Sequence, residues 1–208
     1  MTTIQAKTLS LYELEQKFNL RLAAPDQVPL PWNPGQSPLS EQEIQTLAHI
    51  TDNYNNQMRY LPLSEELVKM VVLSPLLDLA GFYGKNFRLA TEEPVEILLQ
   101  EEDELIKGRI DVLIVQEQLW ILAIESKRVQ LDVMAALPQL LFYLLNSPAQ
   151  QPDPLGLITN GREFVFAQVL KAEPEPPRYT CSDAFSINRP QEFQSVFGIL
   201  KHLTTLLQ

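Results

Sequence analysis

Asp111 sits inside the apolar run Ile110-Asp111-Val112-Leu113-Ile114-Val115. Glu125 closes the next apolar run, Leu119-Trp120-Ile121-Leu122-Ala123-Ile124-Glu125, two residues before Lys127. A carboxylate taken out of water without a partner is strongly destabilising or gives up its charge. Two of them in neighbouring apolar segments therefore call for a metal ion, a base or a shared proton. The same residues would also make a salt-bridged strand end, with Glu125 pairing to Arg109 or to Lys127.

The register between the two segments decides whether the carboxylates can meet. Side chains alternate along a strand, so Glu125 and Lys127 point to one face. A three-residue loop, Gln116-Glu117-Gln118, sets Asp111 opposite Ala123 and Glu125 opposite Arg109. Asp111 and Glu125 are then diagonal neighbours on one face, roughly 7–8 Å apart at the backbone. From there they can share a cation with oxygen bonds of about 2.0–2.5 Å. A two-residue loop puts them on opposite faces unless a bulge intervenes.

The elements that must position these residues follow from hydrophobic period and turn chemistry. Thr8 to Leu20 carries Leu11, Leu14 and Phe18 at helical spacing, and the proline-rich stretch 24–40 reads as a linker, with Trp32 as its anchor. Ser40-Glu41-Gln42-Glu43 is a capping box for a helix running towards Met58. Ser64 caps a second helix, Glu65 to Ala80, with Pro75 as a kink and Gly81 and Gly84 at its end. Val95–Gln100, Leu105–Val115 and Leu119–Ser126 read as an antiparallel meander. Asp132 caps an apolar helix, Val133 to Leu145. Asn160-Gly161 joins Leu155–Thr159 to Glu163–Leu170 as a hairpin. Pro190 opens a C-terminal helix with the stripe Phe193, Phe197, Leu200, Leu203 and Leu207. The expectation is an α/β core (61–208) behind a helical N-terminal extension (1–60).

Asp111 in a strand, a hairpin, then Glu125-Ser126-Lys127 resembles the PD-(D/E)XK nuclease superfamily, in which an acidic residue precedes an (Asp/Glu)-x-Lys on the next strand. Gln139-Leu140-Leu141-Phe142-Tyr143 matches the Gln-x-x-x-Tyr element of several branches, and Gln139 and Tyr143 share a helical face. Leu157 to Phe164, with its Thr-Asn-Gly turn, resembles the strand-turn-strand in the N-terminal nuclease domain of type I restriction motor subunits. The resemblance spans about Leu61 to Leu170. Ile110 stands where the family name has proline. No GxxxxGK occurs, so the ATP-driven motor has no counterpart here.

The resemblance implies a restriction-endonuclease-like core, a mixed central sheet of about five strands flanked by helices. It also implies a Mg²⁺-dependent nuclease, with Mn²⁺ as substitute, hydrolysing DNA phosphodiesters in restriction or repair. Asp111 and Glu125 would ligate the metal, with the Ser126 carbonyl as a further oxygen and a helix carboxylate, Glu66 in preference to Glu65, as an additional one. Lys127 would orient or deprotonate the attacking water, and Gln139 and Tyr143 would hold the phosphate backbone or the metal-water network. Such chemistry needs an activated water and neutralised oxygen charge, which a metal beside a cation supplies. Arg109, Arg128 and Arg162 are the candidates for phosphate contacts.

Composition limits the partners. With 16 Lys+Arg against 26 Asp+Glu, the net charge of −10 argues against gripping nucleic acid or an anionic membrane by bulk charge. Seven of those acids lie between Glu92 and Glu104 with no base among them. No apolar run is long enough to span a bilayer, and a single cysteine, Cys181, points to a reducing cytoplasm. His49 and His202 are isolated, with no cysteine or second histidine at zinc-ligand spacing. The acidity motivates the alternative of a nuclease-fold assembly protein, inactive alone and working with a separate motor or DNA-recognition partner. A homodimer is a plausible state for a protein that cuts two strands.

Overall fold

The computed structural model describes residues 2–23, 38–60, 62–99, 103–148, 151, 153–171 and 174–205. Most of the proline-rich stretch, Trp32 included, lies outside them, as does Leu207 of the C-terminal stripe. One mixed sheet organises the molecule. Its central strands are β3 (Arg88–Leu99), β4 (Glu104–Gln116), β5 (Leu119–Ser126), β6 (Leu155–Thr159) and β7 (Glu163–Leu170). Neighbours among them are antiparallel except β5 and β6, which run parallel and are joined across helix α5 (Leu137–Leu145).

Among the described residues the sheet has nine strands rather than about five. The four additional ones are β1 (Thr2–Gln5), β2 (Arg21–Leu22), β8 (Arg178–Cys181) and β9 (Phe185–Ser186). They are two to four residues long, too short to show a period in sequence. Residues 1–60, expected as a helical extension with a proline-rich linker, contribute two of these strands. β1 runs parallel to the start of β4, and β2 runs parallel to β8.

Helices cover both faces of the sheet. On one side α2 (Glu41–Met58), α4 (Ser74–Ala80) and α6 (Pro190–Thr205) bury Tyr54, Leu76 and Phe197 against Val112, Ile114 and Ile124. On the other, α5 and the short α1 (Leu11–Phe18) bury Leu140, Phe142 and Leu14 against Leu113, Val115 and Ala123. The expected capping box at Ser40 and Glu43 closes α2, and a second one, Ser10 with Glu13, closes α1. Helix α3 (Glu65–Val68) runs through a π-helical turn, Lys69–Leu73, into α4. Pro75 stands at the start of α4, where its missing N–H breaks the α-helical ladder and a wider turn accommodates it. The apolar helix from Val133 begins as a 3₁₀ turn, Val133–Ala136, and becomes α-helical at Leu137, just before Pro138. Among the described residues no helix is long and apolar enough to cross a membrane.

Candidate active site

β4 and β5 are joined by a two-residue turn, Glu117-Gln118, with Gln116 opposite Leu119 and Glu117 at a left-handed φ of 55°. Carried unbroken, that register would separate Asp111 and Glu125 onto opposite faces. It does not run unbroken. The pairing changes from Val115↔Trp120 to Ile114↔Leu122, leaving Ile121 as the extra residue of a β-bulge. Past the bulge Val112 pairs with Ile124, and the next step sets Asp111 directly against Glu125. The carboxylates share a face through a bulge in place of the expected three-residue loop.

β3 brings a third carboxylate. Its pairing with β4 steps over Glu92 and Asp111, which face each other between Thr91↔Val112 and Glu93↔Ile110. Glu92 holds φ at 54° in mid-strand, a conformation that strains a non-glycine residue by about 1–3 kcal/mol and concentrates at functional sites. The three strands form one wall of a cleft of about 590 Å³, lined also by Gln5 and Lys7 from the N-terminal segment, Glu65 from α3, and Gln139 and Tyr143 from α5.

Within the cleft the polar groups form two linked chains. In the first, Glu125 is ion-paired to Lys127, whose Nζ also donates to Gln139 Oε1 at 3.4 Å. Gln139 Nε2 donates to the Tyr143 hydroxyl at 2.7 Å, which donates to the Arg109 carbonyl at 2.7 Å and accepts from the Arg109 N–H at 3.1 Å. The Tyr143 ring is fully buried, and Gly108 lets it approach. A Cβ at Gly108 would lie 2.7 Å from Tyr143 Cε1 and 2.9 Å from the Ala6 Cβ.

In the second chain, Asp111 Oδ2 accepts from the Ser126 N–H at 2.7 Å, and Oδ1 pairs with Lys69 Nζ at 3.2 Å. Lys69 Nζ also lies 3.1 Å from Glu65 Oε1 and 3.9 Å from Glu92 Oε1. Beneath both chains, Thr159 and Asn160 hold the loop after β5. The Lys127 N–H donates to the Thr159 carbonyl at 2.8 Å, and Asn160 Nδ2 donates to the Leu131 carbonyl at 2.9 Å.

The electrostatics follow from burial. Glu125 is 1% exposed and its Oε2 is buried with no hydrogen-bond partner. Burial, and then the adjacent Asp111 charge, push this carboxyl up to about 8 against the pull of Lys127. Burial works against the Lys69 ammonium, yet the Asp111 charge and the bonds to Glu65 and Asp111 outweigh it, and its pKa stands above the ordinary lysine value. Burial, then the Glu125 charge, raises the Tyr143 phenol.

Asp111, Glu125, Lys127, Gln139, Tyr143 and Arg109 all line the cleft. Ser126 is buried beside them and gives its N–H to Asp111. Glu66 does not join them. It points to solvent, and its carboxyl is held below the usual range by hydrogen bonds at its own helix start. Glu65, one position earlier and four before Lys69, takes the inward face. Arg128 is exposed and does not line the cleft, and Arg162 borders a different hollow with Tyr54 and Met58.

Lys69 and Glu92 carried no local motif, and their roles follow from tertiary placement. Among the described residues, no group of three or more His, Cys, Asp or Glu side chains is arranged as a ready metal cage. The two ammonium groups lie among the carboxylates instead.

No protein family matches the chain, and no curated protein does. Among solved structures it is similar to a fragment assigned as an HsdR subunit of a type I restriction enzyme from Vibrio vulnificus YJ016. That match has 18% identity and a TM-score of 0.41, over 67% of this chain and 26% of the other. It is also similar to the crystal structure of SSO0001, with 19% identity and a TM-score of 0.26 over 86% and 82% of the respective chains. The chain thus spans about a quarter of the restriction-enzyme fragment.

Proposed function

We propose that the chain is a metal-dependent nuclease of PD-(D/E)XK type, with a restriction-endonuclease-like core, hydrolysing DNA phosphodiester bonds. The observation that carries the proposal is the meeting of Asp111, Glu125, Lys127, Gln139 and Tyr143 in one cleft, with Glu125 Oε2 buried and unpartnered. That orphaned oxygen beside a second carboxylate is a donor set that fits a hard divalent cation, Mg²⁺ or Mn²⁺. Asp111, Glu125 and the Ser126 carbonyl would hold it, with Glu65 as the helix carboxylate. A cation bound there supplies charge to a phosphoryl oxygen and acidity to a water.

The chain's own residues do the rest. Lys127, fixed between Glu125 and Gln139, presents an ammonium where negative charge develops on the phosphate. Gln139 sets the direction of Lys127. Tyr143, buried and bonded to the β4 backbone, sets the direction of Gln139. Arg109, exposed on the rim, meets a flanking phosphate.

The test is cleavage of supercoiled plasmid and single-stranded DNA with Mg²⁺ or Mn²⁺. Asp111→Ala and Lys127→Ala are each expected to lower the rate about 100-fold or more. Equal cleavage by wild type and both variants overturns the proposal. A second reading, an assembly protein inactive alone, is supported by the −10 charge and by the two lysines that already pair with Asp111 and Glu125. It expects no cleavage by the isolated chain, and cleavage only with a partner that reads or moves DNA.

A further inference from the structure

We infer that Lys69 is a resident counter-cation that competes with a divalent metal for Asp111, so that a metal must displace it to bind. The inference rests on the metal site proposed above. Lys69 Nζ sits among three carboxylates from three elements: Glu65 of α3, Glu92 of β3 and Asp111 of β4. Both Asp111 oxygens are engaged, Oδ1 by Lys69 and Oδ2 by the Ser126 N–H. A divalent ion bound to Oδ1 at about 2.0–2.5 Å must approach an ammonium that already lies 3.2 Å from the same oxygen. Two cations that share one carboxylate oxygen repel each other in a cleft walled by protein.

The support beneath Lys69 suits a movable cation. Its side chain stands at the first residue of the π-helical turn Lys69–Leu73, and it is only half-buried. Glu65, four residues earlier on the same helix, offers it a second carboxylate when it leaves Asp111. Glu92, kept at a left-handed φ opposite Asp111, completes a cluster of three negative charges around one positive charge. The excess of negative charge draws a dication in, and Lys69 sets how hard that entry is. Lys127 differs in kind, because it is tied to Glu125 and Gln139 and belongs to the other chain of contacts.

Calorimetric titration of the full chain with Mn²⁺ alone tests this without cleavage. Lys69→Met and Lys69→Gln are each expected to bind Mn²⁺ about tenfold more tightly than wild type. Lys69→Arg, which keeps the charge, is expected to stay within a factor of about two, and Asp111→Asn to lose most of the binding. In thermal melts, Lys69→Met should start below wild type without metal and gain more from Mn²⁺. Wild-type binding with no tightening in either neutral variant overturns the role of Lys69 and leaves the metal site standing. No Mn²⁺ uptake by wild type or by either neutral variant overturns the metal site, and the competition with it.

Discussion

Strands β4 and β5 are built on opposite terms along their length. From Val112 to Val115 and from Ile121 to Ile124, every residue is buried against apolar neighbours on the two faces of the sheet. One step beyond, Asp111 and Glu125 are buried against each other, with two lysines and one unpartnered oxygen. The first stretch gains free energy from every contact. The second costs free energy that only its surroundings can offset, because buried like charges and an orphaned acceptor both disfavour the folded state. The apolar stretch is what allows the charged one to exist, since the bulge at Ile121 that aligns the carboxylates is clamped by packing on both sides.

The comparison breaks most visibly from the apolar side. Leu140 on α5 is fully buried and packs against Gly156 of β6, where a Cβ would lie 2.7 Å from its methyl carbons. Leu140→Ala should destabilise the chain by about 2–5 kcal/mol in denaturant unfolding, because the facing glycine has no side chain to fill the space. A loss below about 1 kcal/mol would show that the apolar stretch does not carry the stability assigned to it.

From the charged side the sign reverses. Glu125 titrates near 8 in the folded chain and near 4.5 when unfolded. Between those values the folded state binds more protons at this site, so the contribution of Glu125 to wild-type stability falls as pH rises from about 4.5 to 8, by at most about 1.4 kcal/mol per pH unit. Glu125→Gln cannot lose a proton. The variant's advantage should therefore grow across that window, reach a few kcal/mol above pH 8, at most about 5, and level off. Metal-free unfolding of both proteins from pH 5 to 9 checks it. A Glu125→Gln difference that is flat with pH would mean the carboxyl is an ordinary ion pair with Lys127.

The same contrast explains what could be read from sequence. Asp111, Glu125 and Lys127 stood out because charge inside an apolar run violates the pattern around it, and Gln139 and Tyr143 because helical spacing places them together. The helices α2 and α6 were legible from a capping box, a proline and a stripe. The bulge was not, since Ile121 is as apolar as its neighbours and nothing local marks it as extra. Lys69 and Glu65 lie in an ordinary helical pattern, so the choice between Glu65 and Glu66 depended on a rotation set by tertiary packing. Glu92 read as one acid among seven. Nothing local tells which way Arg128 and Arg162 point; both are exposed and outside the cleft lining, and Arg162 borders the hollow with Tyr54 and Met58.

A buried charge outside the cleft sharpens the comparison with the smallest effect. Lys171, at the end of β7, is partly buried, and its Nζ donates to the Ser147 Oγ at 2.8 Å and to the Ser147 carbonyl at 3.1 Å. Burial pulls its pKa down to about 8 from 10.5. Here the unfolded state binds more protons between pH 8 and 10.5, so the group's contribution rises with pH across that window, opposite in sign to Glu125. Solvent reaches part of the side chain, which keeps the effect below about 1 kcal/mol. Subtracting the unfolding free energy of Lys171→Met from that of wild type, pH by pH from 7 to 10.5, cancels the groups that the two proteins share. The difference should climb towards wild type. A flat difference would mean that the two Ser147 bonds fully replace the water Lys171 gave up. Glu125, with its orphaned oxygen and its carboxylate neighbour, would then be buried at a cost that Lys171 avoids, and burial without compensation would mark the cleft alone of these two sites.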